Sequence, residues 1–232
     1  MSDSHPPAFD RYGQTYAEQV EHATGMAGAT DFFTEVKAQV LLEVAGALLG
    51  PVSQLAVLDV GCGPGLTDGF LIGKVGSMTG VDVSPAMISQ ARAANPGAQY
   101  EHYDGVRLPF ADGAFDVAFA INVLHHIDPP DRPAFMLEVA RVTRRGGVFL
   151  IFEHNPANPL TRLVVSRCEF DEGVHLLWPR ETRQLLRHAA APPVEARYIL
   201  FVPARAAILR KLERFLTSVP LGAQYVIAGR RE

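Results

Sequence analysis

The sequence predicts a doubly wound α/β fold, in which helices cover both faces of a seven-stranded, mostly parallel sheet. From residue 51 onward, short apolar runs rich in β-branched residues alternate with helical patterns, which is typical of parallel strands joined by right-handed crossover helices. Hydrophobic residues make up 48% of the chain and charged residues 20%, so a large core can be buried. Only the short connection SVPLGAQ precedes the last strand, which we therefore expect to run antiparallel to the others.

The N-terminal region is predicted to be helical and to form a cap. The run DFFTEVKAQVLLEVAGALL has apolar residues at helical spacing and ends at Gly50-Pro51, where a helix would stop. We expect residues 1–50 to be an N-terminal helical cap and residues 51–232 to be one domain. Four aromatic residues are candidates for closing over a bound ligand: Tyr12, Tyr16, Phe32 and Phe33.

The alternating pattern after the cap assigns the strands and helices in turn. Strands are predicted at 56–60, 78–83, 98–103, 115–121, 146–153, 194–202 and 223–229. Helices are predicted at about 65–73, from Ser84-Pro85 onward, and at 131–143, 180–190 and 204–217. Residues 154–180 break the pattern, and their prolines and mixed polarity predict a long ordered excursion that lines a ligand pocket.

Charge and cysteine content narrow the classes of partner and compartment. A formal net charge of −4 disfavours nucleic acid and anionic membranes as partners, because binding to them depends on clustered Lys and Arg. The two cysteines, Cys62 and Cys168, form no disulfide framework and no CxxC metal motif. Without a signal-like N-terminus or an apolar run of about 18 residues, we expect a cytoplasmic chain with no stable membrane insertion. The amphipathic helix at 204–217 is a candidate surface for a homodimer.

The most informative motif is AVLDVGCGPG at residues 56–65, where an acidic residue near the end of a buried strand is followed by glycines. In such sheets ligands bind beyond the carboxyl ends of the strands, which places Asp59 and the loop in a binding crevice. A dinucleotide site is disfavoured because Leu66 stands where the GxGxxG pattern needs glycine or alanine. Asp59 would also repel a pyrophosphate, whereas it would attract the ammonium group of an amino-acid-like ligand.

This motif resembles motif I of the class I S-adenosylmethionine-dependent methyltransferases. The similarity continues through VDVSPAMI, HYDGVRLPFADGAFDVAFAINVLHHI and EVARVTRRGGVFL, in the family's order and spacing over about residues 56–152. The resemblance implies a Rossmann-like methyltransferase fold, S-adenosylmethionine as the cofactor and methyl transfer as the activity. The segment after Glu153 and the closing VPLGAQYVI resemble a bacterial subgroup of small-molecule methyltransferases.

The resemblance also implies a role for each residue that matches a family motif. Asp59 would lie near the methionine ammonium group, Asp82 would accept both ribose hydroxyls, and Asp104 would accept from the adenine amino group. The backbone at Gly105 would complete recognition of the adenine edge. The remaining implied contacts are Gly61, Cys62, Gly63 and Gly65 along methionine and ribose, Val83 and Met87 on the adenine face, and Asn122 and Val123 on the methionine side.

Candidate catalytic residues follow the fourth and fifth strands, on the predicted ligand side of the sheet. Methyl transfer from a sulfonium is an in-line displacement, so alignment and exclusion of water supply much of the catalysis. An alcohol or phenol acceptor also needs a base, and histidine can be one at neutral pH. The candidates are His126, His125, Glu153 and His154. Adjacent histidine side chains are expected to diverge and the sequence places no carboxylate beside them, so no metal site is predicted.

We therefore expect a methyltransferase that acts on a small-molecule acceptor in secondary, glycan or lipid metabolism. The sequence leaves the acceptor atom open between carbon, oxygen, nitrogen and sulfur. Two alternatives are an NAD-dependent oxidoreductase and a non-catalytic module that keeps the cofactor-binding fold. Methylation of nucleic acid is disfavoured, because NPAN and NPLT lack the aromatic residue of the NPPY-type tetrad that stacks a flipped base.

Overall fold

The computed structural model describes residues 16–171, 173–201, 213 and 215–232. The strands of the sheet are β1 (Ala56–Val60), β2 (Ser77–Asp82), β3 (Gln99–His102), β4 (Phe115–Ile121), β5 (Thr143–His154), β6 (Pro193–Ile199) and β7 (Gln224–Arg230). Within the described residues these seven strands lie in the order β3-β2-β1-β4-β5-β7-β6. β7 pairs antiparallel with both β5 and β6, and the pairs from β3 to β5 are parallel. The predicted fold class, including the antiparallel last strand, is confirmed.

The strand order reverses beside β1, and this places the ligand crevice. The chain runs outward from β1 through β2 to β3 and then crosses back to β4 on the other side of β1. Asp59 lies in register with Gly80 on β2 and Phe119 on β4. Because the carboxyl ends of parallel strands meet at one edge, the residues that follow β1, β2, β4 and β5 are brought together there.

Helices cover both faces of the sheet. They are α1 (Tyr16–Thr24), α2 (Ala29–Leu49), α3 (Asp68–Leu71), α4 (Pro85–Ala94), α5 (Arg132–Val142), α6 (Pro159–Val165) and α7 (Pro179–His188), with short 3-10 turns at Val52–Gln54, Leu124–His126 and Glu169–Asp171. Side chains alternate between faces along each strand, so Phe149 packs with α5 on one face and Leu150 packs with α2 on the other. Leu41 of α2 is fully buried, which makes this helix part of the core. The predicted division of the chain at residue 50 stays a prediction.

Two local predictions differ from the structure. The helix predicted at about 65–73 is limited to α3, because Gly65 has a φ of +74° and the chain is still turning there. The excursion at 154–180 contains α6, where Asn158 Oδ1 accepts the N–H groups of Leu160 and Thr161. Pro159 and Pro179 begin helices rather than interrupt them, since the missing N–H of proline is not needed in the first helical turn, whereas Pro156 lies in the turn before α6.

Some predictions lie outside the described residues. Tyr12, the side chain of Tyr16 and most of the helix predicted at 204–217 belong to this group. Phe32, in the first turn of α2, is buried in the core, and the ring of Phe33 contacts the Phe32 ring edge-on. None of the helices in the described part of the chain combines the length and apolar character needed to cross a bilayer.

Candidate active site

The loop after β1 contains three glycines whose backbone angles and neighbouring side chains differ in what they permit. Gly61, Gly63 and Gly65 have φ angles of +81°, +52° and +74°, which residues with a side chain rarely adopt. A Cβ on Gly61 would lie 2.6 Å from Val123 Cγ2, and one on Gly65 would lie 2.6 Å from Asn95 Nδ2. Apart from the chain neighbours of Gly63, no described residue has an atom within 4 Å of the corresponding position there. Packing therefore requires two of these glycines, whereas the third leaves room for a ligand to approach the backbone.

Asp82 ends β2 and holds the same loop. Its Oδ2 accepts a hydrogen bond from the N–H of Gly63 at 2.9 Å, and its Oδ1 accepts one from the N–H of Ser84 at 2.8 Å. Ser84 caps α4 as predicted, because its Oγ accepts from the N–H of Met87 at 3.2 Å. Met87 is buried and Val83 is half-buried beside this cap. Each carboxylate oxygen of Asp82 keeps a lone pair for one further donor.

Asp59 and Asp68 form a buried carboxyl pair beneath the loop. Burial, together with repulsion from Asp68, raises the pKa of Asp59 well above its ordinary value, and burial raises the pKa of Asp68 to about 6. Asp68 Oδ2 accepts from the Tyr100 hydroxyl at 2.8 Å, and that hydroxyl accepts from Asn95 Nδ2 at 3.1 Å. Asp59 Oδ1 is buried with no hydrogen-bond partner among the described residues. A cationic group beside Asp59 would therefore be strongly favoured.

Lys37 supplies a buried ammonium group to this site and is not among the residues predicted from the sequence. The residue comes from the middle of α2 and is 7% exposed. Burial lowers the pKa of Lys37 to about 8, and the carboxylates of Asp59 and Glu153 limit that decrease. The available signal was that Lys37, between Val36 and Ala38, is the single basic residue of an amphipathic helical run.

Asp104 and Gly105 form an exposed turn after β3. Asp104 Oδ1 accepts the N–H groups of Val106 and Arg107, both at 2.8 Å, and these bonds lower the pKa of Asp104. Gly105 has a φ of +80°. The geometry is that of a turn, and the predicted role of these two residues in adenine recognition stays a prediction. The thiol of Cys62 is buried in an apolar cluster, and the predicted cofactor contact of this residue stays a prediction.

Asn122 and Val123 follow β4 and connect it to the neighbouring elements. Asn122 has a φ of +57°, a conformation that asparagine tolerates better than most residues. Its N–H donates to the carbonyl of Phe152 at 2.9 Å, and its Oδ1 lies 3.4 Å from Gln224 Nε2. Val123 fills the space that the missing Cβ of Gly61 leaves. Both predicted residues are thus at the ligand edge of the sheet.

His125 and Glu153 form a completely buried pair at the ends of β4 and β5. His125 Nδ1 lies 2.6 Å from Glu153 Oε2, and Glu153 Oε1 accepts the N–H of Leu124 at 2.8 Å. Burial opposes charge on both groups, but each charge stabilises the other. With help from Asp171, the pKa of His125 is raised to about 9, and the pKa of Glu153 is lowered. The pair fixes the orientation of the imidazole ring.

Asp171 brings a carboxylate from the 154–180 segment to both adjacent histidines. Its Oδ1 lies 3.4 Å from His125 Nε2 and 3.4 Å from His126 Nε2. The ring centroids of His125 and His126 are 4.2 Å apart, and that of His154 is 5.2 Å from His125. Burial and the charge of His125 lower the pKa of His126 to about 3 and that of His154 to about 4. Two neutral imidazoles therefore lie beside a cationic one.

Two expectations about this cluster are wrong. The adjacent histidine rings do not diverge, because the 3-10 turn Leu124–His126 brings both Nε2 atoms within reach of one carboxylate oxygen. A carboxylate also lies beside them, although no local signal marks Asp171 among the acidic residues of EFDEG. The local turn decides the first point, and a contact between residues far apart in sequence decides the second.

The comparison with protein families agrees with this geometry. The family profile described as "Methyltransferase domain" matches residues 58–151, which include the glycine loop, Asp82 and the two histidines. This match identifies residues 58–151 as a methyltransferase domain. The predicted family and fold class are confirmed. The match to a methyltransferase domain disfavours the alternative of an NAD-dependent oxidoreductase.

Individual relatives extend the comparison. The 2-methyl-6-phytyl-1,4-hydroquinone methyltransferase of Synechocystis sp. is 34% identical over 103 residues, covering 43% of this chain and 32% of that enzyme. The O-methyltransferase cnsE of Penicillium expansum is 30% identical over 169 residues, covering 65% of this chain and 60% of that one. The chain thus spans between about a third and three fifths of these two curated relatives.

Solved structures show the same methyltransferase fold over nearly the whole chain. A Thermotoga maritima SAM-dependent methyltransferase, described as a "possible histamine N-methyltransferase", superposes with a TM-score of 0.68. The two chains are 20% identical, and the match covers 97% of this chain and 98% of that one. At this identity the likeness shows the fold alone.

S-adenosylmethionine is the cofactor that the methyltransferase domain indicates, and the residues present fit it. Asp59 offers a buried, unpartnered carboxylate oxygen and Lys37 a buried ammonium group at the same edge of the sheet. Gly63 leaves space beside its backbone, and both oxygens of Asp82 are fixed in orientation. Charge, shape and hydrogen bonding therefore agree with a zwitterionic nucleoside ligand.

Proposed function

We propose that this chain transfers a methyl group from S-adenosylmethionine to the hydroxyl group of a small-molecule acceptor. The observation that carries the proposal is the buried carboxyl and ammonium pair of Asp59 and Lys37 beside an imidazole cluster at one edge of the sheet. The charged pair suits the methionine end of the cofactor, and the imidazoles suit removal of an acceptor proton. Secondary, glycan or lipid metabolism is the setting that we propose, following the resemblance to bacterial small-molecule methyltransferases.

The charges of the site complement the zwitterionic end of the cofactor. Asp59 would bind the ammonium group and Lys37 the carboxylate, each gaining an opposite charge in a region shielded from water. Asp82 would accept the ribose hydroxyls, because its two oxygens are held apart by Gly63 and Ser84. The bound cofactor would supply a methyl group on a positively charged sulfur, and the chain would hold it in line with the acceptor.

His126 is the residue that we propose as the base. Its side chain is 18% exposed, whereas that of His125 is fully buried, so His126 is the one of the pair that an acceptor can reach. Asp171 would orient the His126 ring and stabilise the imidazolium formed after proton transfer, against the burial and the charge of His125 that lower the pKa of His126 to about 3 in the unliganded chain. Glu153 and His125 act as positioning residues beneath it. An amine or a thioether would not require such a base, and this favours a hydroxyl acceptor.

A methyl-transfer screen tests the proposal. The chain is incubated with S-adenosylmethionine labelled in the methyl group and with phenols, sugar alcohols, hydroxylated lipids, amines and thiols, and mass spectrometry locates the added group. We expect a hydroxyl acceptor to be labelled. Binding of S-adenosylhomocysteine without turnover on any acceptor class would instead favour a non-catalytic module.

His126→Ala tests the role of the base. We expect unchanged affinity for S-adenosylhomocysteine by calorimetry and a turnover number that is lower by about 10²–10⁴-fold. His188→Ala is the matched control, because this histidine is exposed at the end of α7 and should change neither quantity. Full activity of His126→Ala would eliminate it as the base. The homodimer and the absence of a nucleic-acid partner, both expected from the sequence, stay predictions.

A further inference from the structure

We propose that His125, His154 and Asp171 form a binding site for a divalent transition-metal ion. One ring nitrogen of each histidine and one carboxylate oxygen of Asp171 lie within 4.8 Å of one another. His125 and Asp171 are buried and His154 is half-buried, so water is largely kept from the space between them. These side chains come from three separate segments of the chain: the turn after β4, the end of β5 and the 3-10 turn Glu169–Asp171.

The distances suit a metal ion better than a hydrogen-bonded network. His125 Nε2 and Asp171 Oδ1 are 3.4 Å apart, which is long for a hydrogen bond between charged groups. Both atoms are buried, and neither has a hydrogen-bond partner within the described ranges. Two ligand atoms of a tetrahedral ion with bonds of about 2.0–2.1 Å are separated by ~3.4 Å. An ion between them would satisfy both atoms without moving either residue.

The surroundings of His125 provide the outer contact that metal-binding histidines have. Glu153 Oε2 lies 2.6 Å from His125 Nδ1 and Nε2 faces Asp171, so a metal ion would displace the proton of Nε2 while Glu153 keeps the one on Nδ1. A carboxylate behind the imidazole fixes its tautomer and raises its basicity as a ligand. Glu153 is itself held by the N–H of Leu124 at 2.8 Å. The ligand orientation is therefore built in before an ion arrives.

The donor set selects the class of ion. Two imidazole nitrogens and one carboxylate oxygen favour zinc, cobalt, iron or manganese in the divalent state over calcium or magnesium, which prefer oxygen ligands. Three protein ligands leave a coordination position for another molecule, as in catalytic rather than structural sites. The buried cysteines take no part, since neither belongs to this cluster.

The role of the ion rests on the proposed function, although its binding does not. An acceptor oxygen in the remaining coordination position would have a lowered pKa, because the ion stabilises the oxyanion. The hydroxyl proton would pass to His126, and the oxygen would form a bond to the methyl carbon. The carbon–sulfur bond of the sulfonium would break and leave a neutral thioether. The metal ion would thus stabilise the acceptor oxyanion, and the imidazole of His126 would accept its proton.

Metal binding is tested directly on the full chain, without cofactor or acceptor. The chelator-treated protein is titrated with Co²⁺ while visible absorption is recorded, Zn²⁺ affinity is obtained by competition, and bound metal is counted by mass spectrometry after gel filtration. Asp171→Asn and His154→Ala remove ligands, Glu153→Gln alters the outer contact, and His188→Ala is the exposed control. Circular dichroism verifies that each variant is folded.

We expect stoichiometric binding to the wild-type chain and to His188→Ala. Affinity should fall by ~100-fold or more in the two ligand variants and by about 10–100-fold in Glu153→Gln. Wild-type binding no tighter than that of folded Asp171→Asn and His154→Ala would overturn the metal site and leave a proton shared by His125 and Asp171 as the reason for their contact. Tight Co²⁺ binding without methyl transfer to any acceptor would contradict the proposed function but not the metal site. Full turnover in a chain that binds no metal would contradict the metal site but not the proposed function.

Discussion

Asp59 is a residue whose environment favours function at the expense of stability. Its carboxyl group is buried beside Asp68, and its Oδ1 has no hydrogen-bond partner among the described residues. Lys37 offsets part of this cost but is itself desolvated. A bound zwitterion would satisfy Asp59 and Lys37 together, so the free energy stored in the unliganded site would be returned on binding.

Asp59→Asn should therefore stabilise the unliganded chain while weakening cofactor binding. The raised pKa values of Asp59 and Asp68 mean that the folded state holds protons more tightly than the unfolded state. Their stabilising contribution is present below the ordinary carboxyl pKa near 4 and is lost as pH rises through the folded values, of which that of Asp68 is about 6. We expect Asp59→Asn to be more stable by about 1–3 kcal/mol near pH 8, with a flatter pH dependence, in urea unfolding.

Asp128→Asn provides the control for this experiment, because Asp128 is exposed on the loop before α5. It should leave the pH dependence of stability unchanged. An Asp59→Asn chain that is less stable than the wild type near pH 8 would contradict our account of the buried pair.

Lys37→Met should weaken binding of the cofactor product but not of its truncated form. Loss of a charge-assisted contact to the carboxylate is expected to lower the affinity for S-adenosylhomocysteine by about 10–100-fold. The affinity for 5′-methylthioadenosine, which lacks the amino-acid end, should not change in the same calorimetric titrations. Lys74→Met is the control, since Lys74 is exposed. An equal loss for both ligands would show that Lys37 supports the site only through packing.

At the scale of elements, the glycines of the loop between β1 and α3 have different roles: Gly61 is required for packing, whereas Gly63 leaves space for a ligand. Gly61→Ala and Gly63→Ala both place a side chain at positive φ, which costs about 1–2 kcal/mol. Gly61→Ala must also displace Val123, so we expect it to lower the free energy of unfolding by more than Gly63→Ala does. Gly63→Ala should instead show the larger loss of S-adenosylhomocysteine affinity relative to its loss of stability. The reverse order of effects would argue against a cofactor beside Gly63.

The same elements show what the sequence predicts well and what it does not. The strands 56–60 and 115–121 were predicted to the residue, because their composition and the flanking turns are local signals. The position of Asp59 followed from the strand that carries it. Lys37 and Asp171 were not predicted as site residues, since each reaches the site from an element whose packing the sequence does not state. Pro159 and Pro179 also indicated an irregular segment, although each of them begins a helix.

At the scale of the whole molecule, α2 belongs to the core on one face of the sheet. Leu41→Ala should lower the free energy of unfolding by about 2–5 kcal/mol, because this side chain is fully buried. Fluorescence and circular dichroism should report a single shared transition. Leu137→Ala, at an exposed leucine of α5, is the control and should have little effect. Two separate transitions would show that the N-terminal helices unfold as an independent cap.

The position of β7 has a consequence for how the chain emerges from a ribosome. β7 is the last strand in sequence, yet it lies between β5 and β6. β5 is 12 residues long, and its edge toward β7 cannot pair until residues 224–230 have been synthesised. During translation this edge offers unpaired backbone groups to neighbouring nascent chains, which is a setting for misassembly. Slow translation of the β6–β7 region would prolong that exposure. We therefore expect synonymous codon changes in this region to alter the yield of folded protein.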